Sequence, residues 1–456
     1  MNKIPVTAIF DIGKTNKKFF LFDENYQEVF KEYITINEIK DDDGYPCDDL
    51  AAIENWSKNL LIRVLKDERF KVSSINFSAY GASLVHIDEN GNAVAPLYNY
   101  LKPYPEEILK SFHNKYGDEL KIASETASPP LGMLNSGFLL YWLKYAKPNI
   151  FKKIKWSLHL PQYIAYLFSG TPVSEYTSIG CHTGLWDFKK NNYHHWVYAE
   201  EIDKILPPVF STDTIFTKNI EGKSIQVGSG IHDSSAALMP YMLSSEDPFL
   251  LISTGTWSIS INPFSAEALT KNDLENDCLN FMRTDGKTVR AARLLLGNEY
   301  DLQVEKLSNH FQKEKEYHKT VKFDNAIFQK WIQYNGSCFH FENILIHEQQ
   351  NQETIYSVFE NYEEAYHKLM IELLELQVQS AVRAIGNTFI KKIYVDGGFA
   401  DNDLYIKILA YHFPKYEIYT TQSPLGSALG AAMIISSKEP GNNFLNEHYA
   451  MKKHSV

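Results

Sequence analysis

The chain has 456 residues, 44% hydrophobic and 22% charged; that is too long for one ordinary core and suits two α/β domains facing each other. A formal net charge of −11 disfavours broad phosphate neutralisation along a nucleic acid or an anionic membrane, so an anionic ligand needs a local site. Cys47, Cys181, Cys278 and Cys338 lie far apart with neither a CxxC pair nor a Cys/His cluster, which argues against a disulfide framework and a structural metal and fits a reducing cytoplasm.

Residues 1 to 6 lead directly into a strand-like run, and no stretch reaches transmembrane length, so a soluble cytoplasmic protein is expected. Val6 to Phe10 is apolar and β-prone, Asp11 to Lys18 is small and polar, and Phe19 to Phe22 resumes the apolar run. This predicts a hairpin with a polar tip. Asp41-Asp42-Asp43-Gly44-Tyr45-Pro46 breaks the pattern and reads as a solvated loop. A helix over Ala51 to Leu65 follows, capped by Asp48 or Asp49.

A second hairpin is predicted at Leu250 to Ile261, around Gly255-Thr256-Trp257. Two small-residue hairpins a domain's length apart suggest duplicated folds sharing a cleft, with the boundary near Ser244 to Pro248. Ala365, Leu369, Leu373, Leu376, Ala381 and Ile385 mark a helix over Tyr362 to Ile385, which Gly386 can end in a left-handed conformation. Lys392 to Val395 reads as a buried strand entering Asp396-Gly397-Gly398-Phe399, with a helix carrying Leu404, Ile408 and Leu409 beyond it. A strand, a glycine pair and a helix offer backbone N–H groups to a nucleotide. The segment from Lys438 to Val456 is polar and Asn-rich, with no assigned role.

Two motifs carry the chemistry. Gly13-Lys14-Thr15 invites a P-loop reading, but that motif needs glycine where Ala8 stands. In a hairpin instead, Gly13 lets the backbone approach phosphate, Thr15 and Asn16 supply donors, and Lys14, Lys17 or Lys18 supplies charge. Asp11 can hold Mg²⁺ through water. Gly228-Ser229-Gly230-Ile231-His232-Asp233-Ser234 places an Asp among small residues before an apolar helix; Asp233 either faces a cleft as a catalytic base or caps that helix.

Asp11 with its glycine hairpin, His232-Asp233, Gly255-Thr256, Gly397-Gly398 and Leu429-Gly430-Ala431-Ala432 occur in the order and spacing of the FGGY carbohydrate kinases, which the chain resembles from about Ala8 to Met433. His232-Asp233-Ser234, Gly255 to Ser258, Ser174-Glu175-Tyr176-Thr177, and Tyr80-Gly81 followed by Asp88-Glu89-Asn90-Gly91 resemble the rhamnulokinase/fuculokinase-like branch. The resemblance implies an α/β fold of two ribonuclease H-like (actin-like ATPase) domains around a central cleft. Residues 1–245 would carry the sugar site and the base, and residues 246–456 the nucleotide site.

It further implies ATP and Mg²⁺ as cofactors, with Asp233 as the base and Asp11 organising the metal. Gly13, Lys14, Thr15, Asn16, Lys17, Lys18, Gly255 and Thr256 would approach the phosphates, and Gly397 and Gly398 would lie under the adenosine. Gly81, His232, Asp233 and Ser234 would contact the sugar. The expected acceptor is L-rhamnulose or L-fuculose, with xylulose or another ketose or polyol as the alternative. The partners are sugar and ATP, without nucleic acid or membrane, in a monomer or homodimer. An actin-like ATPase switch is the rival class, but it needs neither a base at Asp233 nor a Gly81 loop.

Three departures stand out. Lys18 occupies the usual arginine position, keeping the charge but losing the bidentate fork. Phe399 replaces a third glycine, so its ring either stacks on the base or closes the core. Around Arg290 to Asn298, the Asn preceding Gly-Leu-Trp is not kept.

Overall fold

The structure is a computed structural model describing residues 3–344, 353–422, 425–441 and 443–454. Met1 and Asn2 at the chain start and residues 442, 455 and 456 of the polar tail lie outside the described residues. The first hairpin forms as predicted, β1 (Ile4–Ile12) pairing antiparallel with β2 (Lys17–Phe22), which pairs with β3 (Glu28–Ile34). The helix α1 (Leu50–Lys66) follows, and Asp49 caps it by accepting the Ala52 N–H at 2.9 Å. Then β4 (Phe70–Ala79) runs parallel to β1. After a long helical excursion the sheet is completed by β5 (Ile215–Ile220), β6 (Lys223–Gly228) and the short β7 (Ile231–His232), the last two parallel to β4.

From β7 the chain enters α2 (Asp233–Ser244) and, after four residues, starts again. β8 (Phe249–Thr254) and β9 (Ser258–Asn262) form the second hairpin, extended antiparallel by β11 (Thr288–Leu294) and β10 (Cys278–Met282). The helix α3 (Leu296–His310) comes next, then α4 (Tyr362–Ile385), with the bounds the apolar spacing predicts. Gly386 closes α4 with φ 54 and ψ −135, a positive-φ turn outside the left-handed helical region. On the other side of β8 lie the parallel β12 (Lys392–Gly397) and β13 (Glu417–Thr421), then antiparallel β14 (Lys452–His454). The helix α5 (Asp403–His412) links β12 to β13, and α6 (Gly426–Ile434) follows β13.

The two seven-stranded sheets share one design: an antiparallel hairpin with its third strand on one side, parallel strands on the other. Their central strands are apolar on both faces for a packing reason. Ala8, Phe10, Phe19 and Leu21 enter the first sheet's own core, whereas Ile9, Phe20 and Phe22 enter a second cluster with Phe249, Leu251, Ala236 and Leu429. Leu250 and Ile252 point the opposite way, into the core beneath α4. Alternate side chains of a strand thus serve different cores. The shared cluster, with α2 and α6 packed at its centre, joins the two halves.

The acidic run is a solvent-exposed loop at Asp42, Asp43 and Gly44, as expected, and departs from that reading only at Asp41. Asp41 is buried and paired with Lys102 at 2.5 Å, while Asp42 and Asp43 take the Lys147 ammonium at 2.6 Å each. The exposed loop is also pinned by lysines 59 or more positions away. Among the described residues no helix is long and apolar enough to cross a membrane.

Candidate active site

Pairing of β7 with β4 sets His232 beside Ala79, so the chain that follows each strand, Asp233 and Tyr80-Gly81, emerges at one sheet end. The contact is close: a Cβ added to Gly81 would lie 2.8 Å from His232 Nε2. His232 Nε2 is 3.3 Å from Asp233 Oδ1 and 3.5 Å from Cys181 Sγ. Burial lowers the His232 pKa to about 4, leaving a neutral imidazole at neutral pH. Its backbone N–H donates to Thr177 Oγ1, and that hydroxyl is held by the fully buried Glu175.

Asp233 is the first residue of α2, whose capping position is His232. The carboxylate accepts the Ser234 N–H at 2.6 Å, and its side chain is 34% exposed. Burial among the surrounding groups pushes its pKa up to about 6, against the opposing hydrogen bonds from Ser234. A carboxylate poised there exchanges a proton near neutrality, as a general base requires. Ser234 itself is exposed.

Asp11, at the end of β1, accepts the Ser427 hydroxyl at 2.8 Å, and Lys18 Nζ stands 4.0 Å from its other oxygen. Burial raises its pKa, with the charge of Asp233 adding in the same direction. The two carboxylates therefore sense each other. At the hairpin tip the Gly13 N–H donates to Asn16 O at 3.0 Å, and Thr15 and Asn16 are exposed. The three lysines part company. Lys17 is fully buried against Asp48 Oδ1 at 2.7 Å, Lys14 is paired with Asp48 and Glu38, and Lys18 remains the partly exposed cation beside Asp11. Lys17 is thus removed from the expected set of phosphate ligands, because its ammonium is committed to a buried carboxylate.

The second hairpin presents Gly255, Thr256 and Trp257 to solvent, with the Gly255 N–H on Trp257 O at 2.8 Å. Beside it lies a cavity of about 490 Å³ lined by Gly255, Thr256, Tyr300, Tyr366, Gly398 and Phe399, among others. The glycine pair divides its work. Gly397 has φ 90, and a Cβ there would meet Thr254 O at 1.9 Å, so it permits β12 to approach β8; Gly398 faces open space at the cavity wall. A cavity of this size with an aromatic side can take a small-molecule ligand.

Residues 6–239 match the FGGY family of carbohydrate kinases, N-terminal domain, and residues 246–443 match the carbohydrate kinase FGGY C-terminal domain. The chain belongs to the FGGY family. Among curated relatives, a rhamnulokinase of Mannheimia succiniciproducens is 24% identical over 262 residues, 55% of this chain and 52% of that protein. An L-fuculokinase of Haemophilus influenzae is 22% identical over 316 residues, 60% of this chain and 63% of that one. The chain thus spans about half to two thirds of the length of these relatives. A carbohydrate kinase from Novosphingobium aromaticivorans superposes with a TM-score of 0.80 at 21% identity, over 100% of this chain and 95% of that one. A ligand-bound xylulose kinase from Lactobacillus acidophilus gives 0.76 at 14% identity, over 99% and 94%. These likenesses establish the fold, two actin-like ATPase domains around a cleft.

Within this FGGY framework Phe399 packs into the core and also borders the cavity. Its ring stacks on Tyr405 at 4.8 Å and meets Tyr300 edge-on at 4.9 Å, and its N–H donates to Thr254 Oγ1. Sequence reasoning missed Asp48 as a partner of the hairpin lysines, Ser427 as a partner of Asp11, and Tyr300 and Tyr366 in the cavity wall. Asp48 was legible only as a helix cap. It also missed Arg293, which grips Asp277 through two bonds of 2.7 and 3.1 Å and lies 5.4 Å over the Trp257 ring.

Proposed function

We propose that this chain is an ATP-dependent sugar kinase that moves the γ-phosphoryl group of ATP to the primary hydroxyl of a ketose, L-rhamnulose or L-fuculose in first place. The observation that carries it is Asp233: a partly exposed carboxylate with its pKa raised to about 6, set beside a neutral His232 and the bare backbone of Gly81. The names of the curated relatives, rhamnulokinase and L-fuculokinase, support the choice of ketose.

In this reading residues 1–245 form the sugar-binding domain and residues 246–456 the nucleotide-binding domain, in a cytoplasmic protein. Gly81, His232 and Ser234 hold the sugar, and Asp233 takes the hydroxyl proton as the sugar oxygen bonds to phosphorus and ADP departs. The exposed tips at Thr15-Asn16 and at Thr256 approach the phosphates, the Gly13 and Gly255 N–H groups being held in their own turns, and Lys18 supplies charge. Asp11, a buried carboxylate at the cleft, fits a Mg²⁺ ion held through water. Bound Mg²⁺ supplies charge neutralisation at the transferring phosphoryl group. Gly398 and the Tyr300/Tyr366 wall receive the adenosine. Closure of the domains excludes water, a competing acceptor.

ATP turnover with Mg²⁺ in the presence of L-rhamnulose, L-fuculose, D-xylulose, gluconate and glycerol tests the reading. A rate with either 6-deoxyketose at least about tenfold above the others is expected, a difference of one well-placed polar contact. Preference for glycerol or xylulose removes the branch assignment, and the absence of sugar-dependent turnover removes the kinase.

A further inference from the structure

Asp48 joins three groups that belong to different parts of the site. Its Oδ1 takes the Lys17 ammonium at 2.7 Å, and its Oδ2 takes the Lys14 ammonium at 2.5 Å and the Tyr80 hydroxyl at 2.9 Å. Lys17 also donates to the Lys14 carbonyl at 3.0 Å, which braces the turn of the hairpin from inside. Tyr80 leads directly into Gly81, and its own N–H donates to Ile12 O at 3.2 Å. One carboxylate therefore fastens the glycine hairpin to the residue before the Gly81 backbone that packs on His232.

The network is built for rigidity. Asp48, Lys17 and Tyr80 are buried, and Asp48 with Glu38 balances the charges of Lys14 and Lys17. Burial alone would disfavour the Asp48 carboxylate, but the bonds from Lys14 and Lys17 outweigh it and hold its pKa below the usual range. Burial, helped by the charge of Asp48, raises the Tyr80 phenol well above its ordinary value, so it stays a donor. Loss of either lysine contact leaves a buried charge undercompensated, which makes the arrangement resistant to rearrangement.

We propose that Asp48 is the positioning residue that couples the phosphate hairpin to the sugar-facing end of β4, acting through Tyr80. The inference rests on the reading of Gly13 to Asn16 as phosphate-binding and of Gly81 as sugar-facing. Ordering of the hairpin by nucleotide phosphates restrains Tyr80 and Gly81 in advance, so the second ligand meets a loop already fixed. The coupling is reciprocal, as linkage requires.

The experiment compares the parent protein with Tyr80→Phe, which removes only the hydroxyl tie and keeps both lysine pairs. Amide hydrogen exchange over residues 80–83 is measured with and without ADP and Mg²⁺, and ketose affinity is measured by calorimetry with and without the same nucleotide. In the parent, ADP is expected to slow exchange over 80–83 and to tighten ketose binding by about tenfold, a typical coupling. In Tyr80→Phe both effects are expected to shrink toward none, with ADP affinity itself kept. Asp48→Asn is expected to melt lower and to lose the same transfer. ADP protection over 80–83 that persists unchanged in folded Tyr80→Phe or Asp48→Asn overturns the proposal. Exchange needs no sugar, so the two readings fail separately: absent ketose binding with the exchange transfer intact removes the sugar assignment and leaves the tie standing.

Discussion

Gly430 of α6 lies against the backbone of Ala236 in α2: a Cβ at Gly430 would stand 1.7 Å from the Ala236 carbonyl oxygen. The two helices cross at this point in the apolar cluster that joins the halves. α6 begins with the segment carrying Ser427, which bonds Asp11, and α2 begins with Asp233. The crossing therefore links the elements that carry Asp11's partner Ser427 and Asp233. Gly430→Ala is expected to force the helices apart, costing about 1–3 kcal/mol or more as an overpacked core does. Scanning calorimetry should give a lower melting temperature, with turnover reduced in the surviving fold. An unchanged melting temperature would mean that the helices have room to separate.

The pH dependence follows from Asp233 and His232. With Asp233 as the proposed base, only its ionised form accepts the proton; its pKa is raised to about 6, so kcat/KM is expected to fall about tenfold per pH unit below that value and to level off above it. His232, lowered to about 4, is neutral across pH 5 to 8 and adds no second step there. Initial rates from pH 5 to 8 at constant ionic strength check this. A profile flat down to pH 5 would exclude Asp233 as the titrating base.

Asp233→Asn keeps the outline of the side chain and its bond to the Ser234 N–H but cannot take a proton. Turnover should drop about a hundred- to ten-thousandfold, with the fold and ADP binding retained. As a helix-end group asparagine serves almost as well as aspartate. Activity within a fewfold of the parent would therefore leave Asp233 a structural residue.

The glycine pair separates two effects. Gly398 has nothing within 4 Å of an added Cβ and borders the cavity, so Gly398→Leu should fill nucleotide space without strain. ADP affinity is expected to fall at least about tenfold, the loss of roughly 1.4 kcal/mol of contact, at an unchanged melting temperature. Gly397→Ala meets both φ 90 and the Thr254 carbonyl, and should lower the melting temperature instead. Parental ADP affinity in Gly398→Leu would move the nucleotide out of this cavity.

What the sequence determined by itself was local. The apolar period of Tyr362 to Ile385, the polar tips between apolar runs, and the cap at Asp49 depend on neighbours within a turn or a strand, and each stands where predicted. The unbroken apolar run Phe19 to Phe22 marked a strand covered on both sides, without naming the two cores it serves. Tertiary structure decided the charges. In sequence Lys17 stands with Lys14 and Lys18 as a charge available to phosphate, yet the register of β2 turns it inward onto Asp48, 31 positions away. Ser427 meets Asp11 across 416 positions, and the acidic run 41–43 is tied by Lys102 and Lys147. A charged side chain looks the same in sequence whether water or a distant counter-charge receives it. Burial makes that difference, because a desolvated ammonium or carboxylate persists only where the fold delivers its partner.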